Sequence, residues 1–73
     1  MRESLDALGL LCPLPVLKLR KRLKTMQSGA EIDVLTDDPA AVIDIPHFCQ
    51  ESGHKIMSAE PTDAAYRWVI RKT

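Results

Sequence analysis

Four stretches of the chain alternate apolar and polar residues with a period of two, and two stretches between them carry apolar residues at helical spacing. Ser4 to Leu8 is the first alternating stretch: Leu5 and Ala7 fall on one side, Asp6 and Leu8 on the other, and Gly9 ends it. From Pro13 to Met26 the period changes. Val16, Leu19, Leu23 and Met26 recur at spacings of three, four and three, Leu17 widens the stripe, and Lys18, Arg20, Lys21, Arg22 and Lys24 occupy the opposite face. Ser28-Gly29 supplies the stop, with Gly29 free to take the left-handed cap conformation. Ala30 to Thr36 alternates again, Ile32 and Val34 against Glu31, Asp33 and Leu35.

Asp37-Asp38-Pro39-Ala40 reads as a second helix start, an acidic cap followed by proline in the first turn. Pro46 then opposes a continuous helix, because its ring meets the carbonyl of Val42. The spacing predicts one turn from Pro39 to Ile43, a break, and a restart capped by Asp44, with Ile45, Phe48 and Cys49 sharing the buried face and Gly53 at the end. His54 to Glu60 is a third strand, with Ile56 and Ser58 on one face and Met57 and Ala59 on the other. Pro61-Thr62-Asp63 turns the chain, and Ala65 to Lys72 returns with Tyr66, Trp68 and Ile70 on one face and Arg67, Val69 and Arg71 on the other.

The element order is therefore βαβαββ. A strand, helix and strand over about thirty residues form a right-handed crossover with parallel strands. The last two strands, joined by a short turn, form an antiparallel hairpin. The fold class expected is α/β (α+β): a two-layer sandwich in which two helices cover one face of a four-stranded mixed sheet, as a single domain over residues 1–73.

A chain of 73 residues buries a modest core, about 60% of the surface exposed when unfolded. Two cysteines, Cys12 and Cys49, are too few for a disulfide framework, though a bridge between them stays open. His47 and His54 have no third ligand in view, so no metal site and no cofactor are expected. Ten basic and ten acidic residues cancel, which argues against direct nucleic-acid binding by bulk charge. No apolar leader segment and no membrane-length apolar run occur, which sets the expectation of a cytoplasmic protein with reduced thiols and no membrane partner.

The stretch Leu11-Cys12-Pro13-Leu14-Pro15 is the chemical focus. An unpaired cysteine is by default a small buried hydrophobe. Two prolines beside it, and its place in a loop after a parallel strand, favour a functional role instead. With Cys12 as the helix cap, Pro13 and Pro15 lack N–H groups, and the Leu14 N–H alone is left in the first turn to meet the sulfur. A helix N-terminus also favours a lowered thiol pKa. The second βα loop should lie near the first, so Asp37 or Asp38, besides capping, is a candidate polar neighbour of Cys12. Leu10, Leu11, Lys18, Arg20, Lys21 and Arg22 are candidate partner-docking residues. Cys49, on an apolar helix face beside Phe48, is assigned to the core. A lone activated thiol can attack a persulfide and carry the terminal sulfur, or form mixed disulfides.

These residues carry a resemblance. Leu5-Asp6-Ala7-Leu8-Gly9-Leu10, Cys12-Pro13-x-Pro15, Asp37-Asp38-Pro39-Ala40, Asp44-Ile45-Pro46-x-Phe48-Cys49 and Tyr66-Arg67-x-x-Ile70-Arg71-Lys72 are similar to the TusA (SirA-like) family of sulfur carriers over nearly the whole chain. The resemblance implies a sulfurtransferase in which Cys12 takes persulfide sulfur from a cysteine desulfurase and relays it to a downstream acceptor protein. It implies tRNA 2-thiouridine as the destination; relatives serve molybdenum cofactor synthesis or sulfur oxidation. Leu14 stands at the variable position between the prolines, where some members carry a charged residue, so partner choice is not fixed by the motif. The same element order also resembles the C-terminal domain of a bacterial translation initiation factor. That keeps a non-catalytic interaction or nucleic-acid-binding module as the alternative.

Overall fold

A computed structural model describes residues 2–73. Its elements run β1 (Glu3–Ala7), α1 (Leu14–Leu23), β2 (Glu31–Thr36), α2 (Ala41–Ser52), β3 (Lys55–Pro61) and β4 (Tyr66–Arg71). The four strands form one sheet in the order β1-β2-β4-β3. β1 and β2 are parallel, while β4 runs antiparallel to both of its neighbours. The two-layer sandwich inferred from the periodicities is the architecture observed.

The core lies between the sheet and the helices. Leu5 of β1, Ile32 and Val34 of β2, and Trp68 and Ile70 of β4 meet Leu19 and Leu23 of α1 and Ala41, Ile45 and Cys49 of α2. Thr36 is the polar residue in this layer, and its hydroxyl accepts a 3.0 Å hydrogen bond from Trp68 Nε1. That bond satisfies both buried groups, so neither carries the cost of an unpaired polar atom. On the opposite face Asp33 and Glu31 are held by arginines: Arg67 and Arg2 on Asp33, Arg71 and Arg2 on Glu31.

Several local expectations are corrected. α1 ends at Leu23, not Met26, because Thr25 and Met26 donate to the carbonyls of Arg22 and Leu23 in a tighter turn; Met26 still reaches the core. Gly29 does have positive φ, but it serves the connection to β2, where its N–H bonds the Lys72 carbonyl, rather than capping the helix. Leu17 is half exposed, since the buried stripe of α1 is Pro15, Leu19 and Leu23, one residue per turn.

α2 does not break at Pro46. Its buried residues Ala41, Ile45 and Cys49 recur every four residues on one stripe. A break would rotate Ala41 away from the other two, so burial of this stripe outweighs the missing hydrogen bond and ring crowding, a penalty of about 3 kcal/mol in a helix interior. In β3, Ile56 pairs with Ile70 but Ser58 pairs with Val69, so Met57 is an extra residue and Ser58 faces opposite to Ile56. A bulge on this edge strand removes the simple alternation. β3 also continues through Pro61, and the turn spans Thr62 to Ala65, closed by a 2.8 Å bond.

Candidate functional site

Cys12 sits in the loop between β1 and α1, and it is exposed. The geometry of this loop comes from two consecutive acids at the end of β2. Because β1 and β2 are parallel neighbours, with Ala7 opposite Thr36, the loops that follow them emerge side by side. Asp37 Oδ1 accepts the Gly9 N–H at 2.9 Å, and Asp38 Oδ2 accepts the Cys12 N–H at 2.6 Å. The segment from Gly9 to Cys12 is thus gripped at both ends. Gly9 can be held there because its φ of +78° suits glycine alone without strain. Asp38 Oδ1 accepts the Ala40 N–H, and the Asp38 carbonyl accepts the Ala41 N–H, so the same residue that fixes Cys12 also starts α2. Asp38 is the polar neighbour of Cys12 read from the sequence, but neither acid is the helix cap expected: Ala40 caps α2 without a side-chain bond, and the helix begins at Ala41 rather than Pro39.

The cap geometry differs from expectation. Pro13, not Cys12, occupies the N-cap of α1, and the cap side chain makes no hydrogen bond. The Leu14 N–H bonds the Leu11 carbonyl at 2.8 Å, so it is not available to the sulfur. Pro15 is buried under the first turn and helps to seat the helix start. The Cys12–Pro13 peptide bond is cis.

The thiol environment is corrected as well. The pKa of Cys12 is raised, first by hydrogen bonding to the Asp44 side chain, then by desolvation and by the negative charges of Asp44 and Asp38. A carboxylate that accepts the thiol hydrogen stabilises the neutral form, and nearby anions disfavour the thiolate. The thiol stands one residue outside the helix cap, where the dipole acts more weakly than on a cap side chain.

Sequence reasoning missed Asp44, which it placed only as a cap at a helix restart. With α2 unbroken, Asp44 belongs to the first turn. An acid in the first turn of the helix whose lead-in binds Cys12 is the signal that a continuous α2 would have given.

The remaining candidates divide. Leu11 and Leu14 are exposed on either side of Cys12, and Leu10 is half-buried. Val42 and Ile43 of α2, next to Asp44, are also exposed, Ile43 at 74% and Leu11 at 68%. Apolar side chains therefore stand on both elements that border the thiol. Lys18 Nζ donates to the Asp6 carbonyl at 2.7 Å, and Arg22 donates to Glu3 and to the Ser4 carbonyl. These two cations cover acceptors along edge strand β1, which protects an edge from pairing. Lys21 borders the same side, while Arg20 faces a cleft with Lys24, Phe48, Ser52 and Lys72. The basic residues of α1 are thus split between two sides of the helix and do not continue as one face from Cys12.

Cys49 is 2% exposed, and burial pushes its thiol up to about 11. Both cysteines are free thiols. Among the described residues, no group of three His, Cys, Asp or Glu side chains is placed to hold a metal, and no helix is long and apolar enough to cross a membrane.

Comparison with known proteins places this geometry in context. The family model described as Sulfurtransferase TusA matches residues 3–72, which include Cys12, Asp37, Asp38 and Asp44. Among solved structures, the crystal structure of a SirA-like protein from Desulfitobacterium hafniense is similar, with a TM-score of 0.79 at 25% sequence identity, covering 93% of each chain.

Proposed function

The chain belongs to the sulfurtransferase TusA family, whose members carry sulfur, and from that premise we propose that Cys12 is the carrying residue. It accepts a terminal sulfur from the persulfide of a cysteine desulfurase, holds it as Cys12–S–SH, and passes it to the thiol of an acceptor protein. The destination we assign is 2-thiouridine in tRNA, on the motifs that make the chain resemble TusA more than its looser relatives. The cytoplasm, where thiols stay reduced, is the compartment that suits this chemistry.

One observation carries the reading: an exposed cysteine lies on a short loop that two carboxylates fix from outside the loop, within the span of the family match. A fixed, exposed sulfur suits transfer between protein thiols, because the reaction needs access for attack and no deep pocket. Cys49 does not compete for the role, being buried with a thiol that stays protonated through neutral pH. Exposed Leu11 and Leu14 offer apolar area to a partner that brings its own sulfur to Cys12.

The test is incubation with a cysteine desulfurase and cysteine, followed by intact mass measurement without reductant. A gain of one sulfur is expected in the wild type and in Cys49→Ser, and no gain in Cys12→Ser. Sulfur retained by Cys12→Ser would overturn the assignment. For the destination, thiouridine content is measured in tRNA from cells relying on this chain; it should vanish with Cys12→Ser.

A further inference from the structure

Ten acids and ten bases cancel over the chain, but they do not mix. Asp37, Asp38 and Asp63 line one cleft, beside the loop that carries Cys12. A second cleft, of about 180 Å³, lies where α1 and α2 end. Arg20 and Lys24 border it from α1, Ser52 from the last residue of α2, and His54 and Lys72 from the segments that precede β3 and follow β4. No Asp or Glu lines it among the described residues. Arg2, Arg22, Arg67 and Arg71 each have a carboxylate partner; among the described residues Arg20 and Lys24 have none.

Helix ends by themselves favour cations, since each C-terminus carries roughly half a negative charge. Two ends therefore offset about one of the three cations that line the cleft. Lys72 Nζ donates one of its hydrogens to the Met26 carbonyl at 2.6 Å and keeps the others. His54 Nδ1 accepts the Thr73 N–H at 3.3 Å, so the proton of the neutral ring is on Nε2, which is a donor. The His54 ring rests against Phe48, with centroids 5.9 Å apart, and Phe48 packs on the core. The cleft thus combines a guanidinium, two ammonium groups, an imidazole N–H and a hydroxyl with an aromatic wall, and its positive charge exceeds what the helix ends require.

We propose that this cleft binds a phosphoryl group. A carboxylate presents two oxygens and one charge. A phosphoryl group presents three strong acceptor oxygens and nearly two charges, which suits an excess of both donors and cations. The Arg20 guanidinium pairs with two of those oxygens in a fork, and the lysines act as point charges. Phe48 gives apolar contact to whatever the phosphoryl group is attached to. The site goes beyond the sulfur-carrier reading and does not depend on it. Cys12 precedes the first turn of α1, whereas the cleft lies at that helix's other end.

The experiment titrates the full chain, at constant ionic strength, with inorganic phosphate, adenosine diphosphate and a single-stranded RNA oligonucleotide, and follows amide and imidazole NMR signals. Signals of Ser52 and His54 should move and saturate, while those of Gly9 and Cys12 stay in place. The His54 pKa, held below its usual value by burial and by the Lys72 charge, should rise in the bound state, because a nearby anion favours the imidazolium. Arg20→Gln and Lys24→Gln should each weaken binding on the order of tenfold, the worth of one charge-assisted hydrogen bond. Lys21→Gln, the same loss of charge on the other side of α1, should leave binding unchanged, as should Cys12→Ser. Equal affinities for phosphate and the diphosphate identify free phosphate as the ligand; tighter binding of the diphosphate identifies a nucleotide, and tighter binding still of the oligonucleotide identifies an RNA backbone. A role limited to complementing the helix ends predicts lower stability in urea for Arg20→Gln and Lys24→Gln with no saturable movement of His54, and that outcome overturns the proposal. Equal weakening by Lys21→Gln would reduce the effect to bulk charge and overturn it too. So would an oligoglutamate peptide that binds more tightly than every phosphoryl probe, which would make the cleft a docking site for an acidic protein segment.

Discussion

Cys12 and Cys49 carry the same group under different constraints, and the difference is measurable. Burial raises the Cys49 pKa; a neighbouring carboxylate raises that of Cys12, which stays open to solvent. In the folded protein iodoacetamide should modify Cys12 alone, with a pH midpoint above the ordinary cysteine value of about 8.5. Peptide mapping across a pH series checks this, and modification of Cys49 ahead of Cys12 would contradict the placement of both. Asp38→Asn should shift the Cys12 midpoint downward less than Asp44→Asn, since Asp38 acts through charge and Asp44 through a hydrogen bond as well. Cys12 was legible in the sequence because its signal is local: a cysteine and two prolines in one βα loop. Asp38 was legible through topology, because parallel neighbours bring their following loops together. The effect of Asp44 on the thiol was not, since it joins residues far apart in the chain and depends on whether a helix continues past a proline.

At the level of elements, α2 shows how packing overrides a local rule. Pro46 argued for a break, and each steric rule for proline applied to it correctly in isolation. What a linear reading weighed too lightly was the stripe Ala41, Ile45 and Cys49, which requires one continuous helix to meet the sheet. If that stripe holds the helix together, Ile45→Ala should cost about 3 kcal/mol, the usual loss for truncating a fully buried isoleucine. It should also loosen the first turn of α2, which carries Asp44. Urea unfolding gives the first quantity, and amide exchange of residues 43–45 the second. Pro46→Ala, which restores the N–H and removes the ring crowding, should recover up to about 3 kcal/mol in that background. A first turn as protected in Ile45→Ala as in the wild type would mean that something other than the buried stripe spans the proline. The bulge at Met57 was hidden for a related reason: β3 is an edge strand with little burial, so its alternation carried no strong register signal.

For the molecule as a whole, groups on the two faces of the sheet set opposite limits on the pH range of stability. On the open face, Arg67 and Arg2 hold the Asp33 carboxyl below its ordinary range. A lowered folded pKa means that the unfolded chain takes the proton first as pH falls. The stabilisation is present above about pH 3.9, the unfolded value, and is lost as pH drops through the folded pKa. In the core, Cys49 has its pKa pushed up to about 11, so on the alkaline side the unfolded chain gives up the proton first. The contribution is intact below about pH 8.5 and is lost as pH rises through about 11. Arg67→Met should therefore flatten the acid side of a stability profile from urea unfolding and leave the alkaline side unchanged. Cys49→Ala should lower stability at neutral pH through lost packing and flatten the alkaline side. The two changes should add, because Asp33 and Cys49 belong to separate clusters on opposite sides of the sheet. Alkaline loss of the same steepness in Cys49→Ala and wild type would remove Cys49 from the account of that limit.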